Sequence, residues 1–140
     1  MNVYLDASAV VSIFVSDAFS GRIDSFLRDN APGIKVSDFG AAEFVSVLGI
    51  QIRIGNIEKA QARIILRRFD AWIARAPMMI EIGPEDIRAA DAFLRRLDLV
   101  LRTPDAIHIA AATRLGLDLV TFDSRMAACA RAIGASVANV

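Results

Sequence analysis

The chain has 140 residues, enough for one domain, and its 16 basic and 16 acidic residues cancel to a net charge of zero. That balance supplies no global field to recruit nucleic acid, which argues against a general nucleic-acid binder. Residues of the apolar set make up 55% of the sequence and mean hydropathy is +0.45, more than a typical soluble domain carries. Every apolar stretch is interrupted by charge short of the roughly 20 residues a membrane span needs. The start, Met1 to Asp6, lacks the basic and long apolar regions of a signal peptide. A cytoplasmic protein with no membrane segment is expected. Cys129 is the only cysteine, which excludes an intrachain disulfide and a cysteine-based zinc site and leaves it as a small core residue.

Short apolar runs alternate with longer segments of helical period. Residues 3–5 read as a strand, followed by helical patterns over 9–15 and 20–29; 34–36 is the second strand, and 38–54 and 57–75 form a helical hairpin punctuated by Gly55 and Asn56. Residues 78–82 form a third strand, before helices over 85–98 and 104–115 with Pro84 and Pro104 in their first turns. Gly116 ends the second of these, 119–122 is the fourth strand, 124–133 the last helix, and 136–138 a weaker fifth strand. With no repeat and no Gly/Ser/Pro linker, residues 1–140 read as a single domain. Runs that are apolar throughout suit a parallel sheet covered on both faces, so the expected fold is a three-layer α/β/α arrangement around a mainly parallel sheet of four to five strands.

Four carboxylates stand out. Asp6 ends the first strand run and Asp123 the fourth; each precedes a helix, where it could serve as an N-cap. Ligands of open parallel sheets bind beyond the carboxyl ends of the strands, so two such acids would project toward one rim. Asp105, in Thr103-Pro104-Asp105-Ala106, reads as N2 of a helix capped by Thr103, where the helix dipole stabilises an acid by about 0.3–1 kcal/mol. Glu43 is the hardest to explain by capping. It lies past N3 of a helix begun at Ser37 or Asp38, among Ala41, Ala42, Phe44 and Val45, and a carboxylate on a buried face needs a partner or a metal. Two like charges about 4 Å apart repel by roughly 4 kcal/mol at an effective dielectric of 20, so gathering four acids calls for a cation. Oxygen ligands without a His or Cys cluster select Mg²⁺ or Mn²⁺, and Mg²⁺ takes one or two carboxylates directly while the other acids hold its waters.

The ordered segments Val3-Tyr4-Leu5-Asp6-Ala7-Ser8, Glu43 on the second long helix, Thr103-Pro104-Asp105-Ala106-Ile107-His108, and Val120-Thr121-Phe122-Asp123 resemble a PIN-domain ribonuclease over essentially the whole chain, specifically a VapC-type toxin of a toxin–antitoxin pair. The resemblance implies endonucleolytic, Mg²⁺- or Mn²⁺-dependent hydrolysis of RNA. Asp6, Glu43, Asp105 and Asp123 match the four acidic positions, and Ser8 matches the small hydroxyl residue after the first. On this scheme Asp6 and Asp105 chiefly hold the metal, Glu43 or Asp123 orients or deprotonates the attacking water, and Ser8 hydrogen-bonds a water or a carboxylate. The resemblance also implies a homodimer and a VapB-type antitoxin covering the acidic groove, for which an apolar surface between the first helices and the 38–75 hairpin would suit.

Other features have plainer readings. His108, three residues after Asp105, lies among Ile107, Ile109 and Ala110 and reads as a packed, hydrogen-bonded histidine outside the site. Of the basic residues 14 are arginine and only Lys35 and Lys59 are lysine. Arg63, Arg67, Arg68 and Arg75 read as a solvated helix face, while Arg102, beside the Asp105 turn, is placed to meet phosphate. Phe14, Phe44, Phe69, Trp72 and Phe93 read as packing residues. Among rivals, a dehalogenase-type phosphatase wants an acid where Ser8 stands, and a receiver domain wants a lysine after a late strand, where neither Lys35 nor Lys59 falls. A PIN-fold RNA-processing nuclease outside a toxin pair, and a non-enzymatic partner-binding domain whose acids merely cap helices, are the remaining alternatives.

Overall fold

The computed structural model describes residues 1–75 and 78–140. Its elements run β1 (Asn2–Leu5), α1 (Ala7–Phe14), α2 (Ser20–Asn30), β2 (Gly33–Ser37), α3 (Asp38–Arg53), α4 (Lys59–Ile73), β3 (Met79–Ile80), α5 (Pro84–Leu94), α6 (Thr103–Arg114), β4 (Asp118–Val120) and α7 (Ser124–Ile133). The strands form one parallel sheet in the order β3-β2-β1-β4. Parallel strands need crossovers, and here each crossover carries helices that cover a face of the sheet.

The alternation of side chains along β1 shows how the layers divide. Val3, Tyr4 and Leu5 are all fully buried, but Val3 and Leu5 pack with Ala9, Val10, Ile23, Phe26, Phe44, Leu48 and Phe69, whereas Tyr4 packs with Ile109, Ala111, Met126 and Cys129. Helices α1–α4 therefore lie over one face of the sheet and α6–α7 over the other, so a strand with no polar side is stable only at the centre. Phe14, Phe44, Phe69 and Trp72 join in one aromatic cluster with centroid separations of 4.7–6.2 Å, and Phe93 packs on the opposite layer. Cys129 is buried and unpaired, and Arg63, Arg67, Arg68 and Arg75 are exposed.

Several boundaries depart from expectation. The third strand is only Met79–Ile80, because the Ile82 amide donates to Asp38 Oδ1 (3.0 Å) instead of to a neighbouring strand. Expected strand 119–122 ends at Val120, where Thr121 turns its hydroxyl to a side chain of β1's end. The fifth strand reduces to one bridge, Leu119 to Val137, with flanking amide bonds from Leu119 to Ser136 and from Ala138 to Leu119. The hairpin's second helix opens at Lys59, not at 57: Asn56 bonds back to Gln51, and Gln61 Oε1 receives the Glu58 amide. Helix α5 stops at Leu94 instead of 98, since the apolar stripe gives out; Leu97 takes a positive φ of 61° and is 90% exposed.

Candidate active site

Because β1 and β4 are paired neighbours with Leu5 opposite Val120, the chain leaves both strands at the same height, and the Asp6 amide donates to the Val120 carbonyl (3.2 Å). Asp6 and residues 121–123 are thereby placed side by side beyond the carboxyl ends of the sheet. Asp6 is 4% exposed. Its Oδ1 accepts from the Ala9 amide (2.9 Å) and the Ser8 hydroxyl (2.7 Å), and its Oδ2 accepts from the Thr121 hydroxyl (2.5 Å). The capping and site readings of this residue are therefore compatible, since the first turn of α1 and the neighbouring strand end grip the same carboxylate. Burial pushes the Asp6 carboxyl above its ordinary range, opposed by the hydrogen bonds from Thr121, Ser8 and Ala9.

Ser8 and Thr121 knit the two strand ends together. Ser8 Oγ accepts from the Phe122 amide (2.9 Å) while donating to Asp6, and Thr121 Oγ1 accepts from the Asp123 amide (3.1 Å) while donating to Asp6. Asp123 caps α7, its Oδ1 accepting from the Arg125 and Met126 amides (2.9 and 3.1 Å). Thr121 was not singled out from the sequence. The available signal was register: beside a parallel partner, the residue following Val120 faces the residue following Leu5.

At the start of α6 the N-cap is Arg102, so Thr103, Pro104 and Asp105 occupy N1, N2 and N3, correcting the expected register by one. The physical cause is that a carboxylate at N3 reaches back to the N-cap amide, as Asp105 Oδ2 does to Arg102 N (3.3 Å). The Arg102 guanidinium lies 3.3 Å from Asp105 Oδ2 and 3.8 Å from Asp123 Oδ2, between the two acids. Asp105 is buried and Asp123 partly exposed.

Glu43 projects from the second turn of α3, past the N-cap Ser37, and is partly buried. Its partner is His108, whose Nε2 meets Glu43 Oε1 while its Nδ1 lies 2.7 Å from the Tyr4 hydroxyl. The packed, hydrogen-bonded reading of His108 holds, and its ring contacts Glu43, one of the four candidate acids, directly. The structure thus groups Asp6 with Ser8 and Thr121, Asp105 with Asp123 through Arg102, and Glu43 with His108 one helical turn beyond Asp105.

The donor set is all oxygen: both nitrogens of the single histidine are committed to Glu43 and Tyr4, and the single cysteine lies in the core. Such a set fits a hard divalent cation. Among the described residues no three Asp, Glu, His or Cys side chains converge into a ready-made metal cage. That is compatible with an ion that takes one or two carboxylates and keeps its waters.

The sequence profile of the PIN domain matches residues 3–132. The chain belongs to the PIN-domain family. Ribonuclease VapC46 of Mycobacterium tuberculosis is 32% identical over 138 residues, covering 96% of this chain and 95% of that protein. Among solved structures, FitAcB from Neisseria gonorrhoeae superposes with a TM-score of 0.75 at 14% identity over 98% of this chain and 96% of that one. Mycobacterium tuberculosis VapC20, described as a sarcin-ricin-loop-cleaving toxin, superposes with a TM-score of 0.66 at 18% identity over 91% of this chain and 94% of that one. The PIN domain here is thus homologous to VapC-type ribonucleases, and its layered parallel sheet is the one the sequence predicted. No helix among the described residues is long and apolar enough to cross a membrane.

Proposed function

We propose that this PIN domain is a Mg²⁺- or Mn²⁺-dependent endoribonuclease acting as the toxin of a toxin–antitoxin pair. The observation that carries the reading is the Asp6 carboxylate, buried at the end of the central strand pair and held by Ser8, Ala9 and Thr121, with Asp105, Asp123 and Glu43 on the surrounding elements. A buried acid without a counter-ion is unfavourable, and a divalent cation offsets that cost. Asp6 and Asp105 would hold the ion, while Asp123 and Glu43 would hold and orient water around it. When bound, the ion supplies charge stabilisation to a phosphoryl oxygen and acidity to a neighbouring water.

The chain's own residues account for the remaining steps. Ser8 and Thr121 fix the Asp6 carboxylate so that it does not reorganise during the reaction. Glu43 accepts a proton from, or aligns, the water attacking phosphorus. Arg102, two-thirds exposed, would leave Asp105 and Asp123 for the RNA phosphate. A groove lined by Val11, Ser12, Phe19, Val47 and Phe122 runs beside Ser8 and Asp123 between the first helices and α3, and supports a VapB-type antitoxin as the protein partner. Val45, Ile50, Ile54 and Ile64 are exposed on the α3–α4 hairpin, which supports a homodimer.

The test is cleavage of RNA by the purified chain. Cleavage should require Mg²⁺ or Mn²⁺, stop on chelation, and fall by at least 100-fold in Asp6→Asn. Metal-dependent cleavage undiminished in that variant would sink the scheme.

A further inference from the structure

His108, Tyr4 and Ser37 form a buried hydrogen-bonded line that begins at a backbone amide and ends at Glu43. The Gly40 amide donates to Ser37 Oγ (2.9 Å), Ser37 Oγ lies 2.8 Å from Tyr4 Oη, Tyr4 Oη lies 2.7 Å from His108 Nδ1, and His108 Nε2 meets Glu43 Oε1. Tyr4 and Ser37 are fully buried and His108 is 3% exposed, so no solvent substitutes for a missing partner. For a neutral imidazole the carboxylate end fixes the direction of every bond back to Ser37, and the Gly40 amide, occupying one of the two Ser37 lone pairs, is compatible with it. An amide N–H can only donate and a carboxylate can only accept. Hence Ser37 donates to Tyr4, Tyr4 donates to His108 Nδ1, and His108 donates from Nε2 to Glu43. The reverse direction leaves the Ser37 hydroxyl proton without an acceptor in the line.

Packing holds the ring in that orientation. Phe39 lies 5.4 Å from the His108 ring centroid on one element and Tyr4 5.7 Å on another. Gly40 closes the remaining side: a Cβ there would stand 3.2 Å from Ser37 Oγ and 3.3 Å from His108 Cε1, tighter than ordinary contact. The start of α3 is therefore seated against the ring at a point where only glycine fits comfortably.

We infer that His108 is a positioning residue for Glu43, in its Nε2–H tautomer and oriented by the Tyr4–Ser37 line, so that one Glu43 oxygen is fixed and the other is presented to the rim where water and phosphate meet. The inference deepens the ribonuclease reading and rests on it for its catalytic consequence, although not for the hydrogen-bonded line itself. A long, partly exposed glutamate side chain would otherwise rotate toward solvent, and supporting partners of this kind typically contribute ~10–100-fold to metal-site function.

His108 is the only histidine, so ¹⁵N-histidine labelling reports a single ring. In the metal-free protein the Nε2–H tautomer is expected; it should persist in Tyr4→Phe, where the Glu43 carboxylate still accepts from Nε2, while the Nδ1 resonance shifts with the loss of its donor. The ¹³C carboxyl resonance of Glu43 should move in His108→Leu and Tyr4→Phe but stay near its wild-type position in His108→Gln, whose amide nitrogen donates to Glu43 while its oxygen accepts from Tyr4. In RNA cleavage, His108→Leu should lower kcat by ~10-fold or more with KM and Mn²⁺ affinity little changed, and His108→Gln should restore most of it. Tyr4→Phe serves if His108→Leu does not fold. A ring protonated on Nδ1 instead, or a Glu43 resonance indifferent to both Tyr4→Phe and the His108 variants, overturns the inference whether or not RNA is cleaved. Full kcat in a folded His108→Leu overturns it while leaving the ribonuclease reading intact.

Discussion

Thr121→Val offers the sharpest measure of how the carboxylate centre is built. The substitution keeps shape and volume but removes a hydroxyl that donates to Asp6 Oδ2 (2.5 Å) and accepts from the Asp123 amide (3.1 Å). A hydrogen bond to a charged group contributes about 1.5–3 kcal/mol, and the strand-end amide adds a neutral bond of about 1 kcal/mol. Part of the first contribution is lost in the metal-free protein, where burial already favours the protonated Asp6. Destabilisation of about 1–3 kcal/mol is therefore expected in urea melts. The larger effect falls on the metal: Asp6 loses the partner that orients it, and Mn²⁺ affinity should weaken by ~10–100-fold in calorimetric titration. RNA cleavage at subsaturating metal should fall in step and recover when Mn²⁺ is raised. Thr121→Ser retains the hydroxyl and should stay within ~3-fold of wild type in affinity, well inside the loss expected of the valine variant. Mn²⁺ binding by Thr121→Val as tight as in the wild type would refute the placement of Asp6 as a ligand held from β4.

Three further outcomes follow from the same geometry. Asp6 has a folded-state pKa raised by burial, so the folded state holds its proton more tightly and stability falls as pH rises through that pKa; metal-free Asp6→Asn should melt a few degrees higher than wild type near neutral pH, with the difference vanishing below the ordinary aspartate range. Excess Mn²⁺ at about 100 times Kd should add roughly 2.7 kcal/mol to the wild type alone and reverse that order in thermal melts; two variants responding equally would contradict it. Arg102→Gln removes a largely exposed cation from between Asp105 and Asp123, so Mn²⁺ affinity should rise by no more than ~5-fold while KM for RNA increases; a fall in metal affinity would show that the guanidinium does not compete there. Arg114 makes two hydrogen bonds to the buried Asp86, outweighing burial and holding that carboxyl below its usual range. Arg114→Ala should cost about 3 kcal/mol in denaturant melts, and the wild-type pair's contribution should persist above the ordinary aspartate pKa and disappear only as pH falls through the depressed one.

The sequence by itself determined whatever depends on near neighbours. The apolar runs Val3-Tyr4-Leu5 and Leu119-Val120, the Asp6 and Asp123 caps, prolines in first turns and Gly55 with positive φ are local choices of backbone and side chain, and they were enough to specify a parallel layered sheet with acids at its strand ends. Arg102 also lay only three residues from Asp105, the nearer of the two acids it contacts, although its place as N-cap shifted the register of α6 by one. Only the tertiary structure decided which groups support those acids. Thr121 reaches Asp6 across 115 positions because β4 pairs beside β1, and His108 reaches Glu43 across 65 because α6 and α3 converge at the rim from opposite layers of the sheet. In the sequence His108 sits in an apolar helical run and has the pattern of a packing residue, which it is; that its two nitrogens face an acid and a tyrosine depends on strand order, and strand order is a matter of long-range pairing that no local spacing encodes. The four carboxylates were legible because acids at apolar strand ends, or inside an apolar helix, are locally costly. The supporting Thr121 hydroxyl and His108 imidazole were not, because a threonine or histidine in those positions breaks no local rule, and Ser8 was picked out only through the family resemblance.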